Sequence, residues 1–376
     1  MNRKLLSLLV ASLVSAPAIT SADVSISGTM HMSIDSTDDG GTSDSDNSSV
    51  SSNFSNIVFS GDEDLGSGMK AVWQVTSVTT LDEQSGDTWA TGPSYLGLSG
   101  NFGTVIAGKA DTPYFTFQSK FDVMDGTLAD LATIMGTDAE GNELFEDDYA
   151  DNFNLTTPNT IAYISPNMGG FTVVGAYVTD WAAAGDEDSN NFDAFSVSGT
   201  YENGGLMIGA AFERHNHDPS GCQLYDDWPG AFDADVWCDD ATTNDALEIG
   251  AAFTTGDTSV GLLWENIDGT GAIDRDAWAA YLTQGFGNNT FKVLYSTVSQ
   301  SSLPDNGEED EDEASMWAIG LDHAMSPRTT IYGMYASLEN DDDSERYLGG
   351  VDHGDRLGDG GGRDQSGFSL GIVHSF

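Results

Sequence analysis

The sequence predicts an all-β protein, a 16-stranded antiparallel transmembrane β-barrel with short periplasmic turns and long extracellular loops. Three observations carry that prediction. Sixteen segments alternate apolar with small or polar residues. The connectors between them alternate strictly between short and long. The chain ends inside such a segment: Phe368, Leu370, Ile372 and Phe376 fall on one face, and Gly367, Ser369, Gly371 and Ser375 on the other. A soluble chain usually frays at its terminus; an apolar stripe reaching the last residue places that terminus in a sheet, and apolar-out, polar-in is the pattern of a membrane barrel strand.

At the N-terminus Arg3 and Lys4 precede an apolar run at residues 5–14, too short to span a bilayer. Thr20-Ser21-Ala22 supplies small residues before a cut ahead of Asp23, so residues 1–22 read as a cleaved secretory signal peptide. Residues 23–376 read as one barrel domain. No later stretch approaches the roughly 18 apolar residues of a transmembrane helix. A membrane chain with this sequence must therefore be a closed barrel, the other structure that satisfies every backbone group in lipid.

The alternating segments are 23–34, 53–62, 69–80, 93–100, 104–110, 158–165, 170–179, 191–201, 206–214, 245–255, 258–266, 275–285, 289–299, 314–323, 329–338 and 365–376. Most approach the roughly 9–11 residues of a tilted membrane strand. Short connectors, such as Gly66-Ser67-Gly68, Asn101-Phe102-Gly103, Asn167-Met168-Gly169 and Gly256-Asp257, consist largely of turn-forming residues. Long ones alternate with them, at 35–52, 81–92, 111–157, 180–190, 215–244, 267–274, 300–313 and 339–364. A soluble sandwich has no reason to sort its connectors by length. The 44 glycines fit a wide barrel, whose aqueous channel leaves lumen-facing side chains no core to fill. Trp73, Tyr95, Tyr177, Tyr281, Tyr295 and Tyr335 are candidates for the interface girdles.

The formal net charge is −49, with 61 acids against 12 basic residues. That excludes general nucleic-acid binding, which needs a basic footprint. Disorder, the other reading of an acidic chain, is opposed by 38 aromatic residues and clear period-2 segments. Adaptation to high salt is the preferred reading, because the Debye length falls to about 3 Å at 1 M and makes such charge density tolerable. Cys222 and Cys238 bracket a 15-residue segment without strand pattern. In an exported protein they are expected to close a disulfide, contributing roughly 3 kcal/mol in the chain-entropy model.

Several stretches resemble the general bacterial trimeric porin family of Gram-negative outer membranes. They are Gly61-Asp62-Glu63-Asp64-Leu65-Gly66-Ser67-Gly68 followed by Met69-Lys70-Ala71-Val72-Trp73-Gln74, then Tyr95-Leu96-Gly97-Leu98-Ser99-Gly100-Asn101-Phe102-Gly103-Thr104-Val105, Asn159-Thr160-Ile161-Ala162-Tyr163-Ile164-Ser165-Pro166, Ser326-Pro327-Arg328-Thr329-Thr330-Ile331-Tyr332 and the terminal His374-Ser375-Phe376. The resemblance implies a homotrimer in the cell outer membrane that passes small hydrophilic solutes and ions. It implies outer-membrane lipids and lipopolysaccharide around the barrel, and Phe376 as part of the signal read by the barrel-assembly machinery. It also implies that the third long loop, 111–157, folds inward and narrows the pore. The family often carries arginines before the hairpin that residues 95–105 resemble, at the end of the following strand, and before the return strand. Here Gly92-Pro93-Ser94, Lys109 and Thr156-Thr157 stand at those places, so the basic wall is thinned to Lys109 with scattered residues such as Lys70 or Arg328.

Residues 111–151 contain eleven acids and one base, Lys120. Arcs of Asp and Glu favour cations, so a constriction built from Lys109, Lys120, Asp122, Asp125, Asp130, Asp138, Glu140, Glu143 and Asp147 predicts a cation-selective channel. The acidic runs at Glu308–Glu313 and Asp341–Asp343 lack a defined metal-binding spacing and read as solvated loops. His215-Asn216-His217-Asp218 has no evident third ligand. No nucleophile elbow, phosphate loop or metalloprotease motif occurs. No catalytic residue, metal or cofactor is therefore assigned. The alternatives are an outer-membrane barrel hydrolase and a non-conducting structural or adhesive barrel.

Overall fold

A computed structural model of the chain describes residues 23–41, 47–82, 89–136, 152–179, 192–217, 242–269, 273–302, 310–341, 344, 346–350, 353–354 and 362–376. Seventeen strand segments form one sheet: β1 (Asp23–Asp38), β2 (Asn47–Ser52), β3 (Asn56–Gly66), β4 (Met69–Val78), β5 (Ser94–Gly100), β6 (Gly103–Asp111), β7 (Thr156–Ile164), β8 (Phe171–Val178), β9 (Phe192–Asn203), β10 (Leu206–His217), β11 (Thr242–Thr255), β12 (Thr258–Gly269), β13 (Ile273–Phe286), β14 (Asn289–Ser302), β15 (Asp310–Ser326), β16 (Thr329–Asn340) and β17 (Gln365–Ser375). Chain neighbours pair antiparallel, and β1 pairs β17 from Thr29↔Ser375 to Asp38↔Ser366, which closes the barrel. The Phe376 backbone extends that seam, exchanging hydrogen bonds with Gly28 at 3.1 and 3.2 Å. Among the described residues no helix is long and apolar enough to cross a membrane.

The wall has sixteen strands because β2 and β3 are one strand, interrupted at Asn53–Ser55, and both pair with β1. The interruption is tied down rather than loose. Asn53 N–H donates to the His31 carbonyl (3.0 Å), and the Ser55 hydroxyl donates to the same carbonyl while accepting from His31 N–H. β2 falls inside the stretch expected to be the first long loop. It reads Asn-Ser-Ser-Val-Ser-Ser and has no apolar alternation, because its inner face meets the polar residue Asp35, to which Ser51 donates at 2.9 Å.

The outward face carries the exposed apolar residues: Leu96 and Leu98 on β5, Ile208 on β10, Leu262 on β12, Trp278 on β13 and Phe368 and Leu370 on β17. Exposing this band to water would be unfavourable, and lipid covers it without that cost. Two of the suggested girdle residues do not belong there. Tyr177, Tyr295 and Tyr335 face outward, and Trp73 shares its register position with outward Leu96. Tyr95 and Tyr281 instead point into the lumen, where their hydroxyls meet Gln74 and Ser259. Strand periodicity assigns faces relatively and leaves open which face is inside, so isolated aromatics were the residues it misplaced.

The lumen is not empty of a core. One apolar cluster joins Phe117, Phe121, Met124, Leu128, Leu131 and Ile134 of the third loop to Leu263, Ile267, Leu294, Val298, Met316, Met334 and Leu338 of the wall. The expectation that lumen-facing side chains have nothing to fill therefore fails on the β10–β17 side.

Candidate pore constriction

The third loop leaves the wall after β6 and starts with a short helix, α1 (Pro113–Gln118). Thr112 caps it by accepting the Phe115 N–H at 3.2 Å, and Pro113 fills the first-turn position where no N–H is needed. The helix buries Tyr114, Phe117 and Gln118. The chain then crosses to the far side of the barrel and turns through a 3₁₀ turn at Leu131–Thr133, capped by Asp130. It comes back to β12, where Gly136 N–H donates to Glu265 Oε2 at 2.8 Å.

Glu265 is the anchor of this loop. The Tyr114 hydroxyl donates to the same oxygen at 2.8 Å, and Arg275 Nη2 reaches Oε1 at 3.1 Å. Glu248 lies directly opposite Glu265 across β11 and β12, and Glu213 Oε1 on β10 accepts from His215 Nε2 at 2.7 Å. The ring of Phe153, on the returning leg, stacks on His215 at 4.2 Å. All three glutamates and Arg275 are fully buried beneath the loop. The burial that raises the cost of ionising the Tyr114 phenol, reinforced by Glu248 and Glu265, keeps it a proton donor at every ordinary pH. The eighth loop closes over the assembly: buried Arg346 donates to the Thr133 and Ile134 carbonyls at 3.1 and 3.3 Å, and His353 meets Asp35 at 3.2 Å.

Of the predicted constriction residues, three converge. Carboxylate oxygens of Asp122, Asp125 and Asp130 lie within 4.8 Å of one another on the crossing segment. Backbone donors gather them: Met124 and Leu131 N–H on Asp122 (2.7 and 2.9 Å), Gly126 and Ala132 N–H on Asp130 (both 2.9 Å). Enclosure by the barrel and the neighbouring Asp125 charge push the Asp122 carboxyl up to about 7, and enclosure raises Asp125 as well. Lys292, which moderates both, is itself paired with Asp322 at 2.8 Å. Lys120 projects from the same segment, 4.0 Å from Glu202.

Lys109 does not join them. It sits at a bulge and pairs in register with Ser94, on the face that carries Leu96 and Leu98, and its ammonium donates to the Thr91 carbonyl. Lys70 pairs with Asp62 near the short-turn end, and Arg328 lies in the β15–β16 turn. Asp138, Glu140, Glu143 and Asp147 lie outside the described residues, as do Cys222, Cys238 and residues 1–22. The wall opposite the acids is uncharged: Gln74, Thr76, Tyr95, Ile106 and Thr160 face the lumen there.

The residues that sequence reasoning missed are Glu213, Glu248, Glu265 and Arg275. Their signal was present, since each glutamate interrupts an inward-facing row of small or apolar residues, as in Ala246-Glu248-Gly250 and Leu263-Glu265-Ile267. Without cross-strand register nothing showed that the rows meet under one loop.

A closed antiparallel barrel with an apolar outer band and a lumen partly filled by an inward loop is a transmembrane channel. The family model for Gram-negative porins matches residues 7–343, and the chain belongs to that family. It is similar to outer membrane porin protein 32 of Delftia acidovorans, at 26% identity over 86% of this chain and 84% of that protein. It is also similar to major outer membrane protein P.IB of Neisseria gonorrhoeae, at 25% identity over 86% and 90% of the two chains. Among solved structures, an anion-selective porin from Comamonas acidovorans superposes with a TM-score of 0.73, at 22% identity, over 95% of this chain and all of that one. The trimer form of OmpT from Vibrio cholerae superposes with a TM-score of 0.65, at 14% identity, over 94% and 99%. The protein is thus a porin of the Gram-negative outer membrane, and family and fold both point to a channel without enzymatic chemistry.

Proposed function

We propose that this porin is a cation-selective channel for passive diffusion of small hydrophilic solutes and ions. The observation that carries the reading is an asymmetry of charge across the lumen. Asp122, Asp125 and Asp130 crowd one side, and the facing wall of Gln74, Thr76, Tyr95, Ile106 and Thr160 supplies no cation. From residue 23 to residue 203 the only basic residues are Lys70, Lys109 and Lys120. The first is paired with Asp62 and the second faces away from the lumen. A cation crossing the constriction gains attraction from the acids, and the wall cation nearest them, Lys292, is paired with Asp322.

In the same reading the protein works as a homotrimer, is exported by residues 1–22 and uses Phe376 as its assembly signal. Its acidic surface suits high salt, and Cys222 and Cys238 are bonded. The anion selectivity of the Comamonas porin belongs to that protein, and the two are expected to differ at this constriction. Reversal potential in a KCl gradient across a planar bilayer tests the proposal. A potential of the sign set by K⁺ supports it, and one set by Cl⁻ overturns it.

A further inference from the structure

The third loop does not rest on a smooth wall. Four of its side chains enter the barrel surface where the wall has a glycine, and they do so in chain order. An ideal Cβ on Gly209 of β10 would lie 2.6 Å from Phe117 Cε2. One on Gly250 of β11 would lie 2.2 Å from Phe121 Cζ. One on Gly320 of β15 would lie 3.4 Å from Met124 Cε, in ordinary contact, and one on Gly367 of β17 would lie 2.8 Å from Leu128 Cδ1. Each glycine occupies an inward register position, between Ala211 and neighbouring lumen residues on β10, next to Glu248 on β11, beyond Ala318 on β15 and between Gln365 and Ser369 on β17. Phe117, Phe121, Met124 and Leu128 are all essentially fully buried.

We infer that Gly209, Gly250 and Gly367 are positioning residues whose missing side chains seat the third loop and thereby set the cross-section of the pore. The inference rests on the channel reading above. Its physical basis is close packing: a socket one methyl group smaller forces the knob and its backbone away from the wall. The loop has only one direction in which to retreat, toward the open lumen on the β3–β8 side. Displacement at a seat therefore narrows the pathway and moves Asp122 and Asp125, which lie between the Phe121 and Leu128 seats.

Gly250 gives the cleanest test, because all three nearest atoms a Cβ would meet belong to the Phe121 ring. Gly250→Val is expected to lower single-channel conductance by about two-fold, as the narrowest section controls flux. It is also expected to raise acylation of the Lys120 amine by a small water-soluble reagent that fits the lumen, read by mass, because Lys120 adjoins the displaced ring. Phe121→Ala in the same chain vacates the socket, so the double variant should regain both conductance and protection, a coupling that independent sites would not show. A folded Gly250→Val barrel with unchanged conductance and unchanged Lys120 protection overturns the inference. If Gly250→Val does not fold, the comparison becomes Phe121→Ala against Phe121→Ala/Gly250→Val. The filled socket must then protect the Lys120 amine better than the empty one, and equal labelling overturns the inference. A wild-type protein that does not conduct sinks the channel reading instead, while Lys120 labelling still decides the seats.

Discussion

The two halves of the lumen are built on opposite principles. Against β10–β17 the barrel behaves like the interior of a soluble protein, with apolar side chains interdigitated around a loop and the Glu265–Arg275 pair buried beneath it. Against β3–β8 the lining is hydroxyl, amide and small side chains bonded to one another, outside the apolar cluster that the loop joins. The difference shows what the constriction is. The loop is not a flap hanging in a wide pore; it is the outer layer of a core that fills one side, and the pore is what that core leaves over.

The largest expected effect comes from breaking the packed half at its polar anchor. Glu265→Ala removes the acceptor of Tyr114, Gly136 and Arg275 together and leaves the Arg275 guanidinium buried without its carboxylate partner. Stranding one charge of a buried pair costs about 3–5 kcal/mol. The expected outcome is a lower denaturant midpoint for the detergent-solubilised barrel, with noisier conductance as both legs of the loop lose their tie. Glu265→Gln, which retains an acceptor oxygen, is expected to fall between. If Glu265→Ala leaves midpoint and noise unchanged, the packed half is held by its apolar contacts alone.

A smaller effect sharpens the contrast from the open side. Gln74 faces the lumen from β4, accepting from Tyr95 and donating to Thr76 at 3.1 Å, so its replacement disturbs no core. Gln74→Lys places a cation on the wall across from the loop acids. The ratio of K⁺ to Cl⁻ permeability should fall by about half or more, since a fixed charge at a constriction acts on every ion that passes. The reversal potential measures it, and midpoint stability should stay unchanged. A drop in stability without a change in selectivity would mean that this wall is packed rather than open.

How far these halves were legible in the sequence follows from the same contrast. Membrane strands carry their own period, so Leu206–Phe212 and Phe368–Ile372 announced themselves, and the turn residues between them fixed which connectors were short. β2 was invisible because Val50 is the one apolar residue in a strand whose other face meets Asp35. The glycines at 209, 250, 320 and 367 looked like slack in a wide pore, because composition cannot distinguish an empty position from one occupied by a distant phenylalanine. Asp122, Asp125 and Asp130 were legible as acids on the right loop. Their convergence depends on backbone N–H groups presented by a turn that no periodicity encodes.

The smallest expected effect is reversible and lies where the two halves meet. Asp122 titrates near 7, against about 3.8 for an ordinary aspartate, because the barrel encloses it and Asp125 stands beside it. The folded protein therefore holds a proton that the unfolded chain has released throughout the interval between those values. Stability tends in the sense opposite to a salt-bridged aspartate: the contribution is fullest below about pH 4, declines as pH rises toward 7, and is flat above it. Selectivity moves the other way, because the ionised carboxylate attracts cations. Cation preference should be greater at pH 8 than at pH 6, and Asp122→Asn should abolish most of that increment while lowering the value at pH 8. Reversal potentials across this range read both. A pH-independent wild type would place Asp122 in contact with bulk solvent, and would put the boundary between packed core and open pore on the other side of the loop.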